Sequence, residues 1–448
     1  MEQMQPANLP RSAALYERAL KSLPGGNSRS TIFREPHPIY ATSGAGCRFT
    51  DVDGVARIDL VNNMSALVHG HSHPAIVAAI KEQAGKLISV GAPTESEITL
   101  AEQLCARVES VERVNFCNSG SEAVHYAVRA ARGFTGRSLI AKAEGAYHGN
   151  ADSVSVSVFP APNKSGPMQA PTSVAASGGI APSTLGDTLV LPFNDIDNSR
   201  RLIAENASRL ACVIIDPAPP RMGFIEASDA YLAMLRAETA KRGIVLVFDE
   251  VFSFRQSYRG AQGRRDVHAD LTCFGKLIGG GMPIGATGGK ADIMAVFDPR
   301  GGAKVEHGGT FNANPVTMAA GAAALDLLTP EAIAHLDALG EYMRNGLRAV
   351  FEESRVPAFV QGVGSLLSFA VGVETPLGNV RDIMTAMTAP TRYGAPAMAL
   401  TMAFSQRLFQ RGAMHASPSL FILSTAMTKA DIDEVLDMAR EAATGIAR

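Results

Sequence analysis

The chain has 448 residues, 46% of them apolar, a formal net charge of −2 and a mean hydropathy of +0.07. It is long and apolar enough for a large core split into two or three lobes, and too apolar for a disordered chain. No block of like charge marks it for nucleic acid or an anionic membrane surface, and no apolar run nears the length of a membrane span.

Cys47, Cys105, Cys117, Cys212 and Cys273 are odd in number and lack CxxC spacing. They read as reduced core thiols of a cytoplasmic protein. The amino terminus, "MEQMQPANLP", lacks the basic start and apolar stretch of a signal peptide.

Residues 11–22 carry the spacing of a short amphipathic helix, which "LPGGNSRS" breaks. "GCRFTDVDGVARIDL" alternates around an Asp-Gly turn and reads as a hairpin. From about residue 74 the pattern becomes α/β. "HPAIVAAIKEQAGKL", "ESEITLAEQLCARV" and "SEAVHYAVRAARGF" have helical spacing, while "RVNFCN", "SLIAK", "LVLPF", "CVIID" and "GIVLVFDE" are short apolar runs ending in polar residues. Alternating strands and helices imply a mostly parallel sheet covered on both faces. Residues 153–186, rich in Ser, Pro, Ala and Gly, read as a long loop, either a lid or disordered. "PVTMAAGAAALDLL" reads as a buried helix. Thr329 and Pro330 then suit the start of a long helix reaching about residue 354. The strands in "AFVQGVGSLLSFAV" and two further helices complete a smaller α+β lobe. The expected division is 1–65 as an amino-terminal segment joining the small domain, 66–328 as the large domain and 329–448 as the small one.

Ligands of open parallel sheets bind at the carboxyl ends of the strands. "RVNFCNSGSEAV" runs from strand into helix through Ser119, Gly120 and Ser121, small residues at a helix start that can cradle a phosphate or simply cap the helix. "GIVLVFDEV" runs five apolar residues into Asp249 and Glu250, of which alternation turns one towards a site. Lys276, in "LTCFGKLIGGGMPIGA", is the one charged side chain in an apolar and glycine-rich run. A phosphate cradle, a carboxylate at a strand end and a lysine in apolar surroundings are the three parts of a pyridoxal phosphate site. The amine condenses with the cofactor aldehyde as a Schiff base, which explains a lysine buried without a charge. The carboxylate keeps the ring nitrogen protonated.

At this point the chain resembles the class III, fold-type I, pyridoxal-phosphate-dependent aminotransferases. The motifs are "LPGGNSRS", "DVDG", "GHSHP", "NSGSEAV", "AYHG", "VFDEV", "GKLIGGGMPIGA", "GGK" and "GGTFNANP", in order from about residue 20 to the end. The branch it looks like holds glutamate-1-semialdehyde aminomutases and β-amino-acid aminotransferases. The resemblance implies an α/β large domain with a mostly parallel sheet flanked by helices, plus a small α+β domain formed by the chain termini. It implies pyridoxal 5'-phosphate as cofactor, with Lys276 and Asp249 catalytic. Tyr147 and Val251 would lie on the two faces of the cofactor ring. Ser119, Gly120, Ser121, His148 and Asp216 would also line the cofactor site, and Thr310 of the partner subunit would reach the phosphate, making a homodimer part of the site. Asp216 stands where most relatives have Glu. Arg29 lies where β-amino-acid aminotransferases place an arginine for the substrate carboxylate, a role its bidentate fork suits. The second arginine of those relatives is replaced by Ser419, for which Arg255 or Arg34 could substitute.

His69, His71 and His73 alternate as metal ligands can, but no carboxylate or cysteine cluster accompanies them and no metal is expected. "GGGMPIGATGG" lacks the form of a dinucleotide loop. The expected activity is ping-pong transfer of an amino group between an amino acid, a β-amino acid favoured, and a keto acid. An aminomutase moving nitrogen within one semialdehyde is the alternative, and an inert binding member of the fold a third. Phe311-Asn312-Ala313 departs from the Leu-Ser-Gly of typical aminomutases and looks more like the aminotransferase side.

Overall fold

The computed structural model describes residues 9–416 and 418–447. Residues 1–8, which hold most of the amino-terminal stretch read above, lie outside it. The chain forms two compact units.

The first unit contains residues 9–73, 336–375 and 386–447. The Asp-Gly hairpin forms as expected, with Arg48–Asp51 antiparallel to Ala56–Leu60. Ala413–His415, from the far end of the chain, adds in parallel to Ala56–Leu60. Both chain ends therefore share one sheet. A second sheet holds Ala358–Val363, Leu366–Val371 and Leu420–Ile422. The rings of Phe351, Phe404, Phe369 and Phe421 follow one another through the core at centroid spacings of 5.1, 5.3 and 5.2 Å. Side chains of this size bury the area that dominates core energetics. The helices Ala397–Gln410 and Lys429–Ala447 pack together over this core.

The second unit contains residues 74–335 and 376–385. Its seven-stranded sheet has the order 113–117, 285–289, 271–275, 245–249, 210–215, 139–143, 188–191. All links are parallel except those of Gly285–Gly289, which runs antiparallel to both neighbours. Leu210–Ile215, Val245–Asp249 and Leu271–Gly275 are buried throughout, which is why each reads as a continuous apolar run. The helix Gly120–Thr135 packs on one face through Ala123, Val124, Ala127, Val128 and Ala131. Pro315–Leu327 is a buried helix against Pro74–Lys86 and Glu95–Arg107. Among the described residues no single helix is long and apolar enough to cross a membrane.

Two features differ from the sequence reading. The stretch around Lys276 is not simply a glycine-rich loop: Leu271–Gly275 and Gly285–Gly289 are strands joined by a tight connection that carries Lys276. Glycine normally weakens a strand. Here a side chain at Gly285 would collide with the Ser119 carbonyl, so the glycine is required by close backbone approach. Residues 153–186 are neither a free lid nor shapeless. They form a strap fastened by Gly145 N–H to Ser157 O (2.8 Å), Ser157 N–H to Val174 O (2.7 Å) and Thr188 Oγ1 to Ser153 O (2.7 Å), with a single helical turn at Pro182–Leu185. Its order comes from long-range hydrogen bonds, which local composition does not reveal.

Candidate active site

Asp249 ends one strand of the large sheet, and Asp216 and Lys276 follow its two neighbours at their carboxyl ends. Asp249 is the register partner of Cys273. Parallel pairing thus sets Asp249 beside the end of the strand that leads into Lys276.

Lys276 has φ of +51°, in the left-handed region that non-glycine residues rarely occupy. Its Nζ lies 4.5 Å from the ring centroid of Phe252. Loss of water lowers its amine to about 8, with Asp249 and then Asp216 opposing the shift. At pH 7 about a tenth of the amine is therefore uncharged and nucleophilic, far more than for an exposed lysine.

Asp249 accepts at Oδ2 from His148 Nδ1 (2.8 Å) and at Oδ1 from the Val251 N–H (3.1 Å). Burial lowers the His148 imidazole, and Asp249 opposes that. His148 Nε2 has no partner among the described residues. A neutral ring donating from Nδ1 leaves Nε2 as an acceptor, consistent with both facts. Asp216 accepts from the Ala218 N–H at 3.0 Å. Burial, then the neighbouring Asp249, push its carboxyl well above the usual range, against Lys276 and Ser253.

Glu250 resolves the question posed by the adjacent acid pair. It turns away to accept from Ala261 N–H (2.6 Å) and from Gln262 N–H (3.3 Å) and Nε2 (2.9 Å). Burial pushes it up to about 7. It is a buried latch for the short helix Gly260–Arg265.

At the start of the Gly120–Thr135 helix, Ser119 Oγ accepts from Glu122 N–H (3.2 Å) and Glu122 Oε2 accepts from Asn118 N–H (2.6 Å). Ser119 is the cap, and the amides of Gly120 and Ser121 are first-turn donors without an intrahelical acceptor. A Cβ on Gly120 would come within 2.7 Å of Val251 Cγ1, so only glycine fits. Ser121 Oγ accepts from the Asn150 N–H at 3.2 Å, which ties this turn to the one carrying Tyr147 and His148. Tyr147 is half-buried and donates to Asn150 Oδ1 at 2.9 Å. The Arg221 guanidinium lies 5.6 Å from its ring centroid. Arg221 escaped the sequence reading, although a lone arginine just past a buried strand, in "IDPAPPRMG", was a usable signal.

Thr310 is exposed, in a turn braced by Asn118 Nδ2 donating to Asn312 Oδ1 at 2.8 Å. The Asn312 Nδ2 is buried without a partner among the described residues. Arg29 belongs to the first unit, where it is exposed and donates to Asn63 Oδ1 at 2.7 Å. Arg34 is engaged there too, with His415 O (3.3 Å) and the Phe409 ring (4.1 Å). Arg255 is buried in the 253–256 turn. Of the alternating histidines, His69 pairs with Thr425 Oγ1 (3.0 Å) and His71 with Asp59 Oδ2 (2.8 Å).

These residues fit pyridoxal phosphate: first-turn amides for a phosphate, a hydrogen-bonded carboxylate for a ring nitrogen, and a desolvated amine for an aldehyde. Comparison with known proteins agrees. Residues 32–404 match the aminotransferase class-III family. The glutamate-1-semialdehyde 2,1-aminomutase of Polynucleobacter necessarius subsp. necessarius (strain STIR1) is 40% identical over 371 residues, 81% of this chain and 84% of that one. The structure of an omega-transaminase from Sphaerobacter thermophilus is 42% identical with a TM-score of 0.91, covering 98% of both chains. That of a beta-phenylalanine aminotransferase from Variovorax paradoxus is 33% identical with a TM-score of 0.84, covering 96% of this chain and 93% of that one. The chain belongs to the class III aminotransferase family of pyridoxal-phosphate-dependent enzymes.

Proposed function

We propose that this chain moves an amino group between a carboxylate-bearing amine and a carbonyl carbon, with Lys276 carrying the proton. The observation that carries the reading is the meeting of Lys276, Asp249 and Asp216 at three adjacent strand ends, with the amine lowered by loss of water.

Bound pyridoxal phosphate supplies an aldehyde that condenses with amines and a ring that accepts the electrons of a broken C–H bond. The chain's own residues do the rest. The Gly120 and Ser121 amides hold the phosphate, with Thr310 of the partner subunit beside them. Asp249 keeps the ring nitrogen protonated, and His148 fixes its Oδ2. Val251, wedged against Gly120, and the Tyr147 ring flank the cofactor plane and exclude water. The Lys276 amine, once free, would take the proton from the substrate carbon and hold it for its return. Asp216, at the end of the adjacent strand, lines the site beside Asp249, and its burial disfavours a second negative charge there. A homodimer is supported by exposed Leu87, Ile88, Val90, Ile98 and Phe311. Asn314 Nδ2, bonded to Ile88 O at 2.9 Å, brings the two segments together. Apolar side chains exposed in this way suit burial by a second copy.

Transamination is supported by the solved relatives at 42% and 33% identity and by Phe311-Asn312-Ala313. A second reading, isomerisation within one semialdehyde, has at least as much support from the curated relatives, which carry the aminomutase name at 37–40% identity. For the substrate, Arg29 is the proposed carboxylate anchor and a β-amino acid the favoured amine. A single turnover with one amino compound and no acceptor separates the two readings. Transamination releases one equivalent of carbonyl product and leaves the aminated cofactor. Isomerisation returns a rearranged amine and restores the starting cofactor.

A further inference from the structure

Two buried charged residues flank Ala143 at the end of the Leu139–Ala143 strand; Lys142 bonds the strap of residues 153–186 directly and Glu144 is linked to it through Arg381. Glu144 forms a bidentate pair with Arg381 (2.8 and 2.9 Å), which also donates to the carbonyls of Ser165 (2.9 Å) and Gly166 (2.8 Å). Lys142 is different. It is fully buried, and its Nζ donates to Val156 O at 2.6 Å and Ala143 O at 3.0 Å. Both partners are carbonyls; the Glu144 carboxylate is committed to Arg381. An amine in the core costs more than the methionine or leucine that would fill the same volume.

The bond to Val156 is the first in a series. Val156 pairs with Ala175. Next to it, Ser155 Oγ donates to Gly149 O at 3.2 Å, and the Asn150 N–H donates to Ser121 Oγ at 3.2 Å. Tyr147 and His148 lie within the segment so enclosed.

We propose that Lys142 is a positioning residue, whose amine fastens the strap to the sheet and thereby fixes the 147–150 turn and the Ser121 edge of the active site. The proposal rests on the site reading above. Two carbonyl acceptors match the two N–H donors of an uncharged amine. Burial lowers the Lys142 amine to about 7, opposed by Glu144. The charged and titratable groups around it are Glu144, Arg381 from the Val380–Thr388 helix, and His148, whose protonated form Lys142 disfavours. The folded chain binds fewer protons here than the unfolded chain between about 7 and 10.5. Stability linked to Lys142 therefore rises with pH across that window.

The test compares cofactor-loaded wild type with Lys142→Met, which keeps the volume and removes the donors. Lys164, exposed in the strap, is a tryptic site. With the far-UV circular dichroism unchanged, cleavage at Lys164 should accelerate about tenfold. The kcat should fall about tenfold with KM within about twofold. The alkaline rise in Tm between pH 7 and 10.5 should shrink. Wild-type protease protection together with wild-type kcat would overturn the proposal. If Lys142→Met does not fold, Ser155→Ala cuts the next bond in the series. About threefold faster cleavage at Lys164 is then expected, and unchanged cleavage would overturn the proposal. The protease readout is independent of which reaction the site performs, so failure of the functional reading would not be mistaken for failure of the strap.

Discussion

His148 Nδ1 and Asp249 Oδ2 meet at 2.8 Å although 101 residues separate them in the chain. The buried imidazole fixes one carboxylate oxygen while the Val251 N–H holds the other. Replacing His148 by Ala should leave Asp249 held by the Val251 N–H alone. The expected loss in kcat is about 100-fold, the size of effect a misplaced catalytic group produces. Asp249→Asn should retain cofactor but lose at least as much, because the ring nitrogen would no longer be held protonated. Steady-state kinetics on cofactor-saturated variants checks both, and near-normal turnover in Asp249→Asn would remove Asp249 from its role.

The pH dependence of cofactor loading follows from Lys276. Burial lowers this amine to about 8, and only the neutral form attacks an aldehyde. Below about pH 8 the protonated amine dominates and loading of the apoenzyme should slow roughly tenfold per unit. Above it the rate should level off. A stopped-flow series from pH 6 to 10 reads the midpoint. A rate still rising steeply at pH 10 would mean the amine keeps the basicity of an exposed lysine.

Gly120→Ala should weaken cofactor binding about tenfold or more and cost about 1–3 kcal/mol of stability, because the new methyl meets Val251. The double variant Gly120→Ala/Val251→Ala makes room and should recover most of the lost Tm. Absence of that recovery would show that the glycine is needed for something other than contact with Val251.

Arg29→Ala on a substrate panel tests the carboxylate anchor. Amino acids should lose about 100-fold or more in kcat/KM, as expected for a charged hydrogen-bonded pair, while uncharged amines stay within about threefold. Equal losses on both classes, or none, would remove Arg29 from substrate recognition.

The fold was largely readable because its parallel strands are buried on both faces and so appear as unbroken apolar runs, as in "CVIID" and "GIVLVFDE". The two strands around Lys276 were not. Glycines in "GATGG" hide a strand whose need for them comes from the Ser119 backbone, a contact visible only in three dimensions. The strap at 153–186 was unreadable for the same reason: Lys142, Glu144 and Arg381 secure it from distant positions. At the site, Lys276 and Asp249 stood out as charges adjoining apolar runs. Glu250 could be told from Asp249 only once its bonds to Ala261 and Gln262 were seen. Arg221 had a signal in its place just past the buried strand of "CVIID", but its approach to the Tyr147 ring is visible only in three dimensions.

The assignment of Lys276 as the amine that holds the cofactor is tested most directly by borohydride reduction of the loaded enzyme, followed by peptide mapping. The reduced adduct should lie on Lys276 alone, at one per chain, and be absent from Lys276→Ala, which should remain folded but turn over no substrate. An adduct on Lys142 or Lys290 in the wild type would contradict the account.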